Sequence, residues 1–451
     1  MRNLYLSLAL LVLLASIFAP TPPGLERDGT IMLGIFLMAV ILWLTEAIPM
    51  AATGLLIILL QPLLGVKDAN IVFSGFGNSA VFFILASFMI AAAMEKHGLH
   101  KRMAARMLSF FGHSPRTFIF AVMLTGALLS FIMISHGVAA LLLPMLLHVM
   151  LAVRAVPKKS NFGTATMLAL AYGTTVGSWG TLLGGARNPL TLSFLEDMGY
   201  NLTFLDWMKM SMPVVAVVLP LLAVVLVLLY PPERMEIERA MRDIKREIEG
   251  RKISMEEKTL SAIIIFTVIL WFFFSDSIGI AVIALLSVML LFLFNLMEWE
   301  DMEKRVQWGI LLIYGGAITL GKGMETTGVA LWMAGGITNI FHSPHTILFG
   351  IILLTFILTN LMSNTAAVAT MLPISIGIAN SAGISPVTAA MATALAGGAA
   401  FLFVIATPGM AIAYSSEYIT QKDMLKAGMV AGLLSMMTIF LFAVFYWESL
   451  Y

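Results

Sequence analysis

Four short polar stretches interrupt otherwise apolar sequence: Ser135-His136-Gly137, Gly184-Gly185-Ala186-Arg187-Asn188-Pro189, Ser363-Asn364-Thr365 and Thr407-Pro408-Gly409. They bring hydroxyls, amides, one imidazole and one guanidinium, and each precedes an apolar run able to restart a helix. A restarted helix presents free backbone N–H groups and the positive end of its dipole. The chemistry on offer is therefore capture of an anion by hydrogen-bond donors. Arg187 can hold a carboxylate or phosphate bidentately, and an arginine in so apolar a setting marks a functional site by default. Its alternative is structural, as a partner of broken-helix carbonyls. For His136 the alternative to an anion donor is a hydrogen bond to backbone.

The elements that position these groups belong in a membrane. Of 451 residues, 60% are hydrophobic and 11% charged, and the mean hydropathy is +0.96. Soluble domains carry roughly 25% charged residues, and much of any folded surface faces water, which excludes a soluble enzyme. The apolar stretches are continuous and do not alternate as barrel strands of about ten residues do. Absence of cysteine removes disulfides, thiolate metal sites and cysteine nucleophiles. A net charge of +1 gives no case for a nucleic-acid partner. No Gly-x-Ser-x-Gly or metal-ligand spacing occurs, so an intramembrane enzyme is set aside and no cofactor is expected.

A helix needs about 20 apolar residues to cross the hydrocarbon core. Such runs lie near 4–20, 30–49, 51–66, 71–94, 211–230, 259–275, 277–297, 306–325 and 424–446. The first is expected to be a retained span, because no small-x-small cleavage site precedes Pro20. Segments 117–153 and 345–379 are too long for one crossing, and each carries a polar centre with Pro144 or Pro373 beyond it. They are expected to be re-entrant helical hairpins. Segments 164–198 and 388–417 read as broken helices, and irregular backbone at membrane depth survives only against protein or a cavity. The fold class expected is an all-α polytopic membrane protein of about eleven transmembrane helices and two re-entrant hairpins. Segment 233–258, with eight basic and eight acidic residues, reads as a solvated cytoplasmic linker helix.

The chain also repeats itself. Met94-Glu95-Lys96-His97-Gly98-Leu99 returns as Met324-Glu325-Thr326-Thr327-Gly328-Val329, and a hairpin and then a broken helix follow each copy. With a cytoplasmic N-terminus, 21 of the 26 basic residues fall on the inside, as the positive-inside rule asks. The two copies then lie on opposite sides, the pattern of an inverted-repeat transporter with its site at the broken helices. The boundaries expected are an N-terminal span 1–29, a first repeat 30–232, the linker, and a second repeat 259–451. His97, His100 and His113 fall in basic cytoplasmic stretches and read as solvated. Glu46, at the Thr-Glu-Ala-Ile-Pro break, reads as a scaffold anchor.

Trp43-Leu44-Thr45-Glu46-Ala47-Ile48-Pro49 resembles a signature of the divalent anion/sodium symporter family. Met94-Glu95-Lys96, Phe204-Leu205-Asp206-Trp207-Met208-Lys209, Ser363-Asn364-Thr365 with Pro373, Ala406-Thr407-Pro408 and Asp423-Met424-Leu425-Lys426-Ala427-Gly428 continue the resemblance in family order. It implies a homodimer in the cell inner membrane, scaffold and transport domains, elevator-type exchange, and an anion held between the hairpin tips. It also implies transport of dicarboxylates, C4-type acids such as succinate, malate or fumarate foremost, by sodium symport or by exchange. Phosphate- or sulfate-like anions are the alternative within the family. A sodium/proton antiporter or arsenite exporter would want an acidic pair in the broken helices, and 117–198 holds no acid before Glu196.

The resemblance assigns the substrate to Ser135, His136, Gly137, Arg187, Asn188, Ser363, Asn364, Thr365, Thr407 and Pro408. It assigns a second-half sodium to Thr359, Asn364 and the Ala406 carbonyl, and a first-half sodium to Ser130 and Ser135. Here the chain departs from its relatives. Aligning Ser130–Pro144 with Thr359–Pro373 sets Ile134 against Ser363, Ser135 against Asn364 and His136 against Thr365. The first tip thus lacks the asparagine of the family's Ser-Asn-Thr, and Arg187 places a fixed charge where relatives offer neutral sodium ligands.

Overall fold

A computed structural model describes residues 2–111, 114–235, 237, 253–338, 341 and 343–450. Its regular elements are all helical among these residues. Eight helices are long and apolar enough to cross a membrane, and five shorter apolar ones run 10–17 residues. Span starts are fixed locally by reciprocal capping boxes at Ser114/Thr117, Thr203/Asp206, Ser254/Glu257 and Thr420/Asp423, each satisfying otherwise orphan N–H groups. Most of the expected linker lies outside the described residues; its end, from Ser254, already caps the helix Met255–Ile278.

One order of elements occurs twice. Arg27–Thr45, Met50–Leu63 and Ala69–Phe73 lead into Ser79–His97, and Met255–Ile278, Ile280–Leu293 and Trp299–Arg305 lead into Trp308–Thr326. After each comes a short helix, Leu99–Phe111 or Val329–Thr338, then a hairpin, a broken helix and a long closing helix. The repeated Met-Glu-x-x-Gly motif ends the preceding helix, with Gly98 at φ 69° and Gly328 at φ 77°, a left-handed geometry that suits glycine.

The basic stretch 99–111 is a helix and is not wholly solvated, because Ala104, Ala105 and Leu108 are buried on one face. Two of its neighbouring histidines are correspondingly engaged: His100 is buried with Nδ1 2.7 Å from the Met94 carbonyl, and His97 Nε2 lies 2.7 Å from the Leu296 carbonyl. His113 lies outside the described residues. Glu46 takes the left-handed position, φ 47°, that ends the helix Arg27–Thr45.

The halves are interlaced. Met50–Leu63 packs along Trp308–Thr326, and Ile280–Leu293 packs along Ser79–His97. Ion pairs Lys96–Asp301, Arg305–Glu95 at 3.2 Å and Arg102–Glu257 at 3.1 Å stitch one half to the other at one end. The hairpins and broken helices cross-pack likewise. Arg187–Asp197 lies on Asn364–Ala382 and Pro386–Ala396, while Pro408–Ser415 lies on Ser135–Ala152 and Asn161–Gly177.

Candidate substrate and ion site

Each hairpin tip is a turn followed by a helix start. Ile134 and Ser363 occupy equivalent N-cap positions, ahead of Ser135–Ala152 and Asn364–Ala382, and each helix carries its proline inside. The Ser363 hydroxyl accepts the Ala366 N–H at 3.3 Å and keeps its own hydrogen for another acceptor. Ile134 has no such group, so the first turn there lacks a side-chain cap. Ser135 donates its N–H to the Gly184 carbonyl at 3.4 Å, joining the first tip to the first break. Gly137 borders open space. The His136 imidazole is half-buried, with Nε2 2.6 Å from the Gln307 amide nitrogen at the start of Trp308–Thr326. An amide N–H donating to a neutral imidazole satisfies that contact.

The second tip is tied to the second break by three oxygens. The Thr359 hydroxyl lies 2.5 Å from the Gly397 carbonyl and 3.0 Å from Asn364 Oδ1. One hydroxyl proton serves two acceptors, an arrangement that fits a hard cation, which takes several oxygen ligands. Asn360, beside Thr359 and 1% exposed, accepts the N–H groups of Phe401 at 3.0 Å and Leu402 at 2.9 Å. It thereby holds the unwound backbone in place. Ala406, assigned to the ion from sequence, is buried in the turn 404–406 and shares no hydrogen bond with this cluster; the Gly397 carbonyl is the one that meets it. Thr407 caps Pro408–Ser415 by accepting the Met410 N–H at 3.1 Å, and Pro408 beside it is exposed. Thr365 is half-buried in the first turn after the second tip.

In the first break Arg187 and Asn188 are both buried. Arg187 donates from Nε to the Ala394 carbonyl at 3.1 Å and from Nη2 to the Ser178 hydroxyl at 2.8 Å. It thus bridges the ends of the helices Asn161–Gly177 and Pro386–Ala396. Two glycines leave room for it: an added Cβ would lie 2.5 Å from Nη1 at Gly185 and 2.5 Å from Nη2 at Gly398. Asn188 Nδ2 donates to the Ser178 and Thr181 carbonyls at 2.8 and 2.6 Å. The two breaks therefore meet at Arg187. A Cβ on Gly409 would lie 3.9 Å from Ala139, which brings the helix start of the second break beside the first hairpin.

Tips, breaks and helix starts so combined can offer an anion donors from several directions, with an oxygen cluster for a cation alongside. Sequence reasoning missed Asn360, Ser178, Gly397, Gly398 and Gln307. Register offered a sign of the first, since Asn360 falls opposite Phe131 when the hairpins are aligned.

The family model described as "Sodium:sulfate symporter transmembrane region" matches residues 1–451. A sodium-dependent dicarboxylate transporter SdcS of Staphylococcus saprophyticus is 28% identical over 455 residues, covering 94% of this chain and 87% of the relative. An uncharacterized transporter of Haemophilus influenzae is 28% identical over 436 residues, covering 92% and 91%. Among solved structures, Neisseria gonorrhoeae MtrF superposes with a TM-score of 0.60 at 15% identity, covering 98% of this chain and 94% of that one. Alcanivorax borkumensis YdaH gives 0.55 at 11%, covering 94% and 99%, and both likenesses speak to fold alone. The chain is a membrane transporter, not an enzyme, and belongs to the sodium:sulfate symporter transmembrane-region family.

Proposed function

We propose that the protein is a sodium-coupled secondary transporter of small divalent anions, with C4-type dicarboxylates such as succinate, malate or fumarate as its substrates. The observation that carries the reading is the second tip, where the Thr359, Asn364 and Gly397 oxygens gather around one proton beside a helix start. A cation there lowers the cost of bringing a dianion into a low-dielectric site. The anion is held by the helix starts after Gly137, Pro189, Thr365 and Gly409, with Ser135, His136, Ser363, Thr365 and Thr407 adding donors, while Asn188, whose amide hydrogens go to the Ser178 and Thr181 carbonyls, holds the break in shape. The names of the Staphylococcus relatives support dicarboxylates.

Movement is by an elevator. The interlaced helices form the scaffold, and the hairpins with the broken helices form the moving body. Unequal packing of the two halves supports this: Asn364–Ala382 lies against Val329–Thr338 and Trp308–Thr326, while Ser135–Ala152 makes far less contact with Leu99–Phe111. Exchange of these two arrangements would open the site alternately to each side. The repeats 30–232 and 259–451 have opposite orientation, the N-terminus is cytoplasmic, and the working unit is a homodimer in the cell inner membrane.

The test is counterflow in proteoliposomes with succinate, malate, fumarate, sulfate and phosphate, with sodium or choline as the cation. Succinate counterflow that requires sodium is expected. Sulfate transport with no dicarboxylate transport would replace the substrate with the anion that the family's description names.

A further inference from the structure

We propose that Arg187 is a resident cation that takes the place of one coupling ion, so that each protomer binds one sodium ion and not two. The inference rests on the sodium-coupled reading above. Two like halves offer two cation positions, each at the C-terminal end of a broken helix, where the dipole is negative and carbonyls come free. In the second half that position is the cluster of Thr359, Asn364 and Gly397, whose mutual hydrogen bonds come from the neutral Thr359 hydroxyl.

In the first half the equivalent oxygens are already met by N–H groups. The Ser178 and Thr181 carbonyls receive Asn188 Nδ2, the Ser178 hydroxyl receives Arg187 Nη2, and the Gly184 carbonyl receives the Ser135 N–H. The tip amide that Asn364 supplies in the second half is Ser135 here. Arg187 reaches further, to Ala394 in the last turn of the other broken helix, so one guanidinium engages both helix ends. It is 4% exposed, and among the described residues no carboxylate lies within 4.0 Å of it. Its charge is balanced by the helix ends, which is the environment a sodium ion would otherwise occupy. Of the buried first-half oxygens without a hydrogen-bond partner, Ser130 Oγ lies at the hairpin and Asn188 Oδ1 on the break. A first-half ion would have to compete for its oxygens with the N–H groups of Arg187 and Asn188 and would be repelled by the fixed guanidinium charge. A fixed cation also changes the work done. Removing one ion from the coupling lowers by one power the anion ratio that a given sodium gradient can sustain.

The experiment counts sodium without requiring transport. Full-length protein in detergent is equilibrated with radioactive sodium, with and without succinate, and sodium-dependent thermal stabilisation is followed in parallel. The wild type should bind one ion per protomer with a Hill slope of about one. Thr359→Ala should lose that ion, and Ser130→Ala should keep it. Arg187→Lys should stay at one ion, and Arg187→Ala should rise to two as the vacated helix ends admit sodium. Two ions in the wild type, one of them lost in Ser130→Ala, would overturn the inference while leaving the sodium-coupled reading intact. This comparison holds even if Arg187→Ala does not fold. No sodium binding under any condition would overturn both.

Discussion

Replacing Asn360 by leucine should weaken sodium binding more than any change at the exposed ends of the site. The side chain is nearly isosteric, so little volume changes, while the acceptor for two backbone N–H groups is lost. Phe401 N and Leu402 N, now 3.0 and 2.9 Å from Asn360 Oδ1, would be left without their partner. Each buried orphan donor costs about 1–3 kcal/mol, so a loop that held its place would carry roughly 2–6 kcal/mol of strain. Part of this is relieved by movement of residues 397–403, which also displaces the Gly397 carbonyl from Thr359. At about 1.4 kcal/mol per factor of ten, a loss of at least about tenfold in sodium affinity follows, with a lower melting temperature. The assay is sodium titration of the purified variant by thermal shift, followed by succinate uptake at low and high sodium. An N360L protein that melts and binds sodium as the wild type does would refute the reasoning, since the loop would then hold itself.

Gly398→Ala places a methyl group 2.4 Å from Trp179 Nε1 and 2.5 Å from Arg187 Nη2; transport should fall at least about tenfold, whereas Gly350→Ala, which meets nothing within 4 Å, should not change it; overpacking costs about 1–3 kcal/mol. Thr365→Ala should raise the KM for succinate with sodium binding retained, measured by uptake and by sodium-dependent stabilisation. Burial pushes the Glu233 carboxyl up, but hydrogen bonds from the Phe162 and Asn161 N–H groups and the Ser160 hydroxyl outweigh it and hold the group below its usual value of 4.5. A depressed folded value means stability that is present above the unfolded value and lost as pH falls through the folded one; the melting-temperature gap between wild type and Glu233→Gln should therefore be full at neutral pH and close in acid. Single cysteines are informative in a chain without native ones: in sealed cells, Ser277→Cys should label from outside and Lys158→Cys should not.

Much of the architecture was legible because membrane spans announce themselves by composition. The hairpins were legible from length together with a central polar tripeptide, and Pro144 and Pro373 fixed their common register. The buried face of helix 99–111 was hidden because its basic residues suggest a solvated stretch, whereas Ala104, Ala105 and Leu108 are buried. At the site, Arg187, Thr359 and Asn364 stood out by residue type. Gly397, Ala394 and Ser178 could not, since they act through backbone oxygens or a common hydroxyl, and helix breaks bring these to one place. Ala406 was named for its place before the Thr-Pro break; the carbonyl that meets Thr359, Gly397, lies at the end of the preceding helix, a position without a sequence sign.

The most direct measurement of sodium-coupled dicarboxylate transport is accumulation against a gradient. Proteoliposomes preloaded with succinate at the external concentration are given an inward sodium gradient, with potassium and valinomycin clamping the membrane potential. Labelled succinate should rise inside above the external concentration and fall back when a sodium ionophore collapses the gradient. Equilibration to equal concentrations, unaffected by the sodium gradient, would contradict sodium coupling.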